Sequence, residues 1–230
     1  MSEDLKHENY KYKSSVKTAI LIDGGFYRKR AFHYWGNKTP KERADELNSF
    51  CMKLLKNKSE YRQLYRIFYY DCPPINKKVY HPLLKRTIDL GKSEEYNWTT
   101  EFFNELRCRR KFALRLGTLS ENTAQYILKP DVVKKLLSNS ISIEALTEND
   151  FQFHVEQKGV DMRIGVDIIS IALKKQVDQI ILVSGDSDFV PAAKQGRREG
   201  LDVILAPMGA TIKPDLYEHI DGLINSVNIY

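Results

Sequence analysis

Ile180, Ile181, Leu182, Val183 and Ser184 run together without a charge, and Gly185, Asp186, Ser187, Asp188 and Phe189 follow at once. A short uninterrupted apolar run of this kind reads as a buried strand. Two carboxylates one residue apart at its exit constrain the fold further. Apolar strands that end at such groups belong to open α/β sheets, where ligands bind at the carboxyl ends of the strands. Carboxylates converging there repel one another unless positive charge lies between them. A divalent cation such as Mg²⁺ or Mn²⁺, which prefers oxygen ligands, is the natural candidate.

Two other segments repeat the theme. Residues 18–22 form an apolar strand that ends in Asp23, Gly24 and Gly25. Lys158, Gly159, Val160 and Asp161 open an apolar helix that carries Asp167 six residues on. Acidic residues thus stand at three separate strand or helix ends, as a metal-dependent phosphoryl-transfer site requires. Each has a plainer reading. Asp188 suits the cap of the helix that follows, although capping does not explain both Asp186 and Asp188. An aspartate before glycines, as at Asp23, is a common turn residue. Asp161 has the position of an N-cap. Asp167 does not share a helix face with Asp161. A lone carboxylate is costly to bury, so Asp167 faces solvent or something positive.

Ser184 and Ser187 could serve a bound water or the turn backbone. Lys158 suits either a phosphate contact or a solvated loop. Arg107, Arg109, Arg110 and Lys111, with Arg115 beyond, form the densest basic cluster. It would hold phosphates without reading sequence, or it is a solvated helix end.

At 230 residues the chain is expected to form one domain with an insertion. A net charge of +6 is compatible with a polyanionic partner and does not demand one. Cys51, Cys72 and Cys108 are odd in number and lack zinc spacing, which suggests reduced thiols and a cytoplasmic setting. The polar opening is not a signal peptide, and no apolar run is long enough to span a membrane. His7, His33, His81, His154 and His219 show no ligand spacing, and no phosphate-binding glycine motif or nucleophile elbow is present.

Residues 1–17 read as a polar tail and 18–230 as the domain, with a divergent insertion around 72–150. Strands are expected near 18–23, 63–71, 111–116, 180–184 and 201–205. Residues 151–155 are expected to return to the sheet, and 223–229 to add a terminal strand. Helices are expected near 26–34, 41–56, 77–90, 94–107, 131–137, 161–175 and 189–199, with a last one after Pro214. Strands alternating with helices make a mainly parallel sheet covered on both faces, a three-layer α/β/α sandwich. Right-handed crossovers then set Asp23, Asp71 and Asp186 on one edge.

Four segments together resemble the NYN domain in its LabA-like branch, part of the PIN-like nuclease superfamily. They are residues 22–26, the stretch from Lys158 to Asp161 with Asp167, residues 184–191, and residues 200–207. Residues 72–150 match poorly. The resemblance implies a PIN-like, Rossmann-type fold and a Mg²⁺- or Mn²⁺-dependent endoribonuclease that leaves a 5′-phosphate. Asp23, Asp161, Asp186 and Asp188 would be its catalytic and metal-binding residues, with Asp167 a further ligand. Lys158 and the 107–115 basic residues would steer the strand. Single-stranded RNA is the favoured partner. The middle segment is left with the roles of covering the site, choosing partners or making a homodimer. Many relatives carry an Asn soon after the first Asp, where this chain has Gly24, Gly25, Phe26 and Tyr27.

Two rivals remain at this level. One is an RNA-binding PIN-like module with weak or no catalysis, which the full acidic set disfavours. The other is a haloacid-dehalogenase-type phosphatase, which would need an Asp where Gly25 stands.

Overall fold

The structure, a computed structural model, describes residues 15–57 and 60–225. The chain opens with β1 (Ser15–Asp23), α1 (Gly24–Trp35), α2 (Pro40–Leu54) and β2 (Tyr61–Asp71). Two short strands follow, β3 (Lys78–His81) and β4 (Arg86–Asp89), and then α3 (Glu94–Arg107) and β5 (Phe112–Leu116). The next stretch holds β6 (Thr118–Leu119), β7 (Gln125–Leu128), α4 (Pro130–Leu137), β8 (Phe151–His154) and β9 (Gln157–Lys158). The last third comprises α5 (Val160–Leu173), β10 (Gln179–Val183), α6 (Val190–Arg198), β11 (Asp202–Leu205), α7 (Pro214–Glu218) and β12 (Gly222–Leu223).

Six strands make one sheet in the order β12-β11-β10-β1-β2-β5. Every neighbouring pair in it is parallel. The central strands are apolar throughout because both faces are covered. Ala19, Leu21, Ile180 and Leu182 meet Ile164 and Ile168 of α5 and Ala193 of α6 on one side. Ile20, Ile22, Ile181 and Val183 meet Tyr27, Leu47, Phe50 and Phe102 of α1–α3 on the other. The expected three-layer α/β/α architecture with a parallel central sheet is what the chain adopts.

Local signals fix several helix starts. Thr39 and Glu42 form a reciprocal capping box ahead of α2, with Pro40 in the first turn where its missing N–H costs nothing. Ser93 caps α3 by accepting from the Tyr96 N–H at 3.1 Å.

Several expectations are corrected. Residues 77–90 are not a helix. They form the β3–β4 hairpin, whose β3 buries Val79 and His81 and exposes the residues between them, a period of two. Pro82 and left-handed Lys85 lie in its turn. Residues 151–155 do not return to the central sheet, since β8 pairs antiparallel with β7 in a separate ribbon. Within the segment 72–150, α3 and β5 belong to the sandwich itself. Residues 15–17, read as tail, extend β1, while residues 1–14, with His7, lie outside the described residues. The terminal strand is Gly222–Leu223, and residues 226–229 of its expected range also lie outside them.

All three cysteines are free, with Cys51 and Cys72 buried. Among the described residues no helix is long and apolar enough to cross a membrane.

Ile181 is fully buried between the two helical layers. Ile181→Ala is expected to destabilise the fold by about 2–5 kcal/mol in urea unfolding. Leu137→Ser, at a side chain 81% exposed, is expected to change it by less than about 0.5 kcal/mol.

Candidate active site

The chain winds away from β1 in two directions. It goes through α1 and α2 on one face to β2, and from β10 through α6 on the other face to β11. The reversal falls between β1 and β10, and the crevice at such a switch point is where open α/β sheets bind ligands. Ile22 lies opposite Val183, so Asp23 and the loop carrying Asp186 and Asp188 emerge side by side. Gly185 lies under the Phe26 ring, within 3.0 Å of where a Cβ would stand, which joins this loop to the start of α1.

Asp23 ends β1 and caps α1, with Oδ1 accepting from the Phe26 N–H at 3.0 Å. Burial above all, and then Asp161, Asp71 and Asp186, push its carboxyl up to about 6 against the pull of that bond. Asp161 lies exposed in the first turn of α5 and caps nothing, because Gly159 in the left-handed region is the N-cap. The partial loss of water around its carboxyl raises it, and Asp186 and Asp188 raise it further. Asp186, and not Asp188, is the cap of the turn after β10, accepting from the Asp188 N–H at 3.0 Å. Asp188 is exposed. Among the described residues none of these four carboxylates has a Lys, Arg or His within ion-pair distance.

Two neighbouring carboxylates are balanced instead. Asp167 points at something positive. Its Oδ2 accepts from Arg115 Nε at 3.2 Å and from the Tyr70 hydroxyl at 2.8 Å. Asp71 ends β2 with its side chain 1% exposed, paired to Arg28 at 3.1 Å. It also accepts from the Cys72 N–H at 2.8 Å and the Tyr69 hydroxyl at 3.2 Å. Burial still holds the Asp71 carboxyl above its usual range, although Arg28 draws it down. A methyl group on Gly24 would stand 2.6 Å from Asp71 Oδ2, so only glycine lets α1 start this close to β2.

Ser184 serves the backbone, accepting from the Asp186 N–H at 3.2 Å. Ser187 accepts from Lys213 Nζ at 3.0 Å, which sets an ammonium on the acidic loop. Lys158, on the exposed β9, lies opposite Thr118 just past the exit of β5. Arg107, Arg109, Arg110 and Lys111 are not brought to the acidic edge. They precede β5 and so lie at the opposite edge of the parallel sheet. Arg109 pairs with Asp45 and Glu105, Arg107 bonds Asn104, and the Lys111 ammonium donates to the Leu64 carbonyl. Sequence reasoning missed Arg28, Tyr70 and Lys213, which sit in no motif and reach the site only through the fold.

The donor set is all carboxylate, which suits Mg²⁺ or Mn²⁺ over softer metals. Uncompensated like charge also favours a cation there. Among the described residues, no three Asp, Glu, His or Cys side chains stand close enough to share an ion as they are placed.

The profile of the NYN domain matches residues 94–225, more than half of the chain. The chain belongs to the NYN domain family. NYN domains are part of the PIN-like nuclease superfamily and are in general nucleases, acting on nucleic acid and typically using divalent metals. The match takes in Asp161, Asp167, Asp186 and Asp188 and stops short of Asp23. An uncharacterized protein of Methanocaldococcus jannaschii is 25% identical over 99 residues, 42% of this chain and 41% of that protein. The match thus spans less than half of that relative's length. The crystal structure of a protein of unknown function from Vibrio parahaemolyticus is similar in fold, with a TM-score of 0.50 and 18% identity. It covers 97% of this chain and 95% of that one.

Asp23 binds its proton more tightly folded than unfolded, where a carboxyl titrates near 3.9. It therefore favours the fold fully below about pH 4 and loses that contribution as pH rises through about 6. In EDTA, Asp23→Asn, which keeps a capping side chain, is expected to be more stable than the parent by about 2–3 kcal/mol at pH 7.5. The gain should shrink toward zero by about pH 4, as read by urea unfolding at both pH values.

Proposed function

We propose that this NYN domain is a divalent-metal-dependent endoribonuclease that hydrolyses single-stranded RNA. The carrying observation is the unbalanced acidic edge. Asp161 and Asp186 raise the Asp23 carboxyl, and Asp186 and Asp188 raise that of Asp161, at the switch point of the sheet, while Asp71 and Asp167 beside them have cationic partners. Charge left unmatched at a ligand crevice, in a fold whose stability suffers for it, indicates a positive ligand.

Asp23, Asp161, Asp186 and Asp188 would hold Mg²⁺ or Mn²⁺. Such an ion would neutralise charge on the scissile phosphate and lower the pKa of a water molecule. The chain supplies the rest. Asp188, exposed on the loop, orients the attacking water, and in-line displacement leaves a 5′-phosphate and a 3′-hydroxyl. Asp167, held by Tyr70 and Arg115, positions the neighbouring helix turn and draws Arg115 to the edge. Lys213 and Lys158 are the cations placed to meet phosphate oxygens there. The run from Arg107 to Lys111, at the far edge, would contact only more distant parts of a long strand. The motifs at residues 22–26, 158–161, 184–191 and 200–207 support the LabA-like branch as its place in the family.

A second reading has its own support. No three acidic side chains stand within reach of a common ion among the described residues. That suits a module that binds RNA and does not cut it.

Labelled single-stranded RNA incubated with the protein in Mn²⁺, Mg²⁺ or EDTA separates the two. Cleavage is expected with metal only, and Asp186→Asn is expected to lower its rate on the order of 10²-fold or more. Equal cutting by that variant, or binding without cutting in every condition, would sink the nuclease reading. Mn²⁺ is also expected to raise the melting temperature of the parent and to raise that of Asp186→Asn less.

A further inference from the structure

Behind the Arg28–Asp71 pair lies a cavity of about 140 Å³. Its walls are the turn after β2, the start of α3, β6 and β8. Pro74, Tyr96, Leu119 and Phe153 give it half-buried apolar and aromatic sides. Phe153 is held edge-on against Tyr126, ring centres 5.6 Å apart, so its plane is fixed. Arg28, paired to Asp71, forms the wall on the side of the acidic edge.

The position of this cavity follows from contacts already described. Asp71 lines it and also crowds Gly24, the residue after Asp23. One step along the chain therefore separates the cavity wall from the acidic site. Charge then decides what kind of group fits. Arg28 is matched by Asp71, and Glu95 adds a second carboxylate to the lining. A phosphate would meet more acid than base there. A flat, neutral ring would meet aromatic and proline surface. Unpaired bases are recognised in this way, splayed from the strand, stacked on aromatic planes and hydrogen-bonded at their edges.

We propose that this cavity takes one unpaired nucleobase of the substrate strand, neighbouring the phosphate held at the acidic edge, with Tyr96 and Phe153 as its stacking surface and the Arg28 side chain as its wall toward that edge. The proposal rests on the nucleic-acid reading of the site. It makes the segments 73–93 and 117–158 a substrate-reading wall. It also explains why the site would act on single strands, since a base in a duplex cannot enter.

The test is fluorescence anisotropy in EDTA, where no cutting competes. The probe is a labelled single-stranded RNA octamer and a set of octamers each abasic at one position. For the parent protein, one abasic position is expected to weaken binding roughly tenfold or more. Phe153→Ala and Tyr96→Ala are expected to weaken the intact octamer by a similar factor and to make that abasic position silent. Leu119→Trp, which fills the cavity without removing a wall, should do the same, and thermal unfolding of each variant identifies any that fails to fold. Equal sensitivity of parent and folded variants to every abasic position would overturn the proposal. So would the absence of any sensitive position. If cleavage persists with no sensitive position, the cavity assignment falls and the nuclease reading stands. If a sensitive position persists in a protein that never cuts, the nuclease reading falls and the cavity stands.

Discussion

The register of β1 against its two neighbours is the constraint on which the acidic edge depends. Ile22 lies opposite Val183 and Asp23 opposite Tyr70. A slip of one residue would turn the β1 side chains to the other face. Both faces are dry, so the register is held by burial on each side: Ala19 and Leu21 against α5 and α6, Ile20 and Ile22 against α1–α3. With that pairing locked, Asp23 has to emerge beside the loop that follows β10. The carboxylates meet because hydrophobic burial makes them meet, not because they attract.

That enforced meeting sorts the carboxylates into two kinds. Asp71 and Asp167 are buried or half-buried, and each has an arginine and a tyrosine hydroxyl. A paired carboxylate of this sort holds geometry. Asp71 and Arg28 tie the end of β2 to the first turns of α1, and Asp167 and Arg115 tie α5 to β5. Asp23, Asp161, Asp186 and Asp188 have no such partner among the described residues, and the first two are pushed above their ordinary range. The balanced pairs frame the unbalanced group, which is how a fold keeps repelling charges in place without collapsing around them. The same division separates an acid that holds structure from one left without a cationic partner.

Away from the edge, the outer segments show how a NYN sandwich is elaborated. The β3–β4 and β7–β8 ribbons lie apart from the central sheet and meet around His81, whose ring packs at a tilt against Tyr126 at 4.4 Å and Phe151 at 5.1 Å. This small aromatic cluster gives the segment its own anchor. From there β8 presents Phe153 toward the turn after β2, beside the arginine that serves Asp71.

The sequence by itself carried the strands and the acids. Residues 180–184 and 18–22 read as buried strands because each apolar run is too short for a helix and ends at glycine and aspartate, and Asp23, Asp161, Asp186 and Asp188 stood at element ends where local spacing is enough to see them. The helices with capping signals, such as α2 behind Thr39 and Pro40, were legible for the same reason: their causes lie within a few residues. Residues 77–90 were misread because the alternation in β3 is only four residues long and its partner strand is set by the hairpin, not by composition. The basic run at 107–111 was visible as charge but not as position, because which edge of the sheet it joins depends on strand direction. Only the tertiary structure brought Arg28 to Asp71, Arg115 to Asp167 and Lys213 to Ser187, pairings that span 26 to 52 residues. Local sequence determines which residues are acidic and where a strand stops. Which acids are neutralised is decided by packing, because a charge partner is chosen by distance in space.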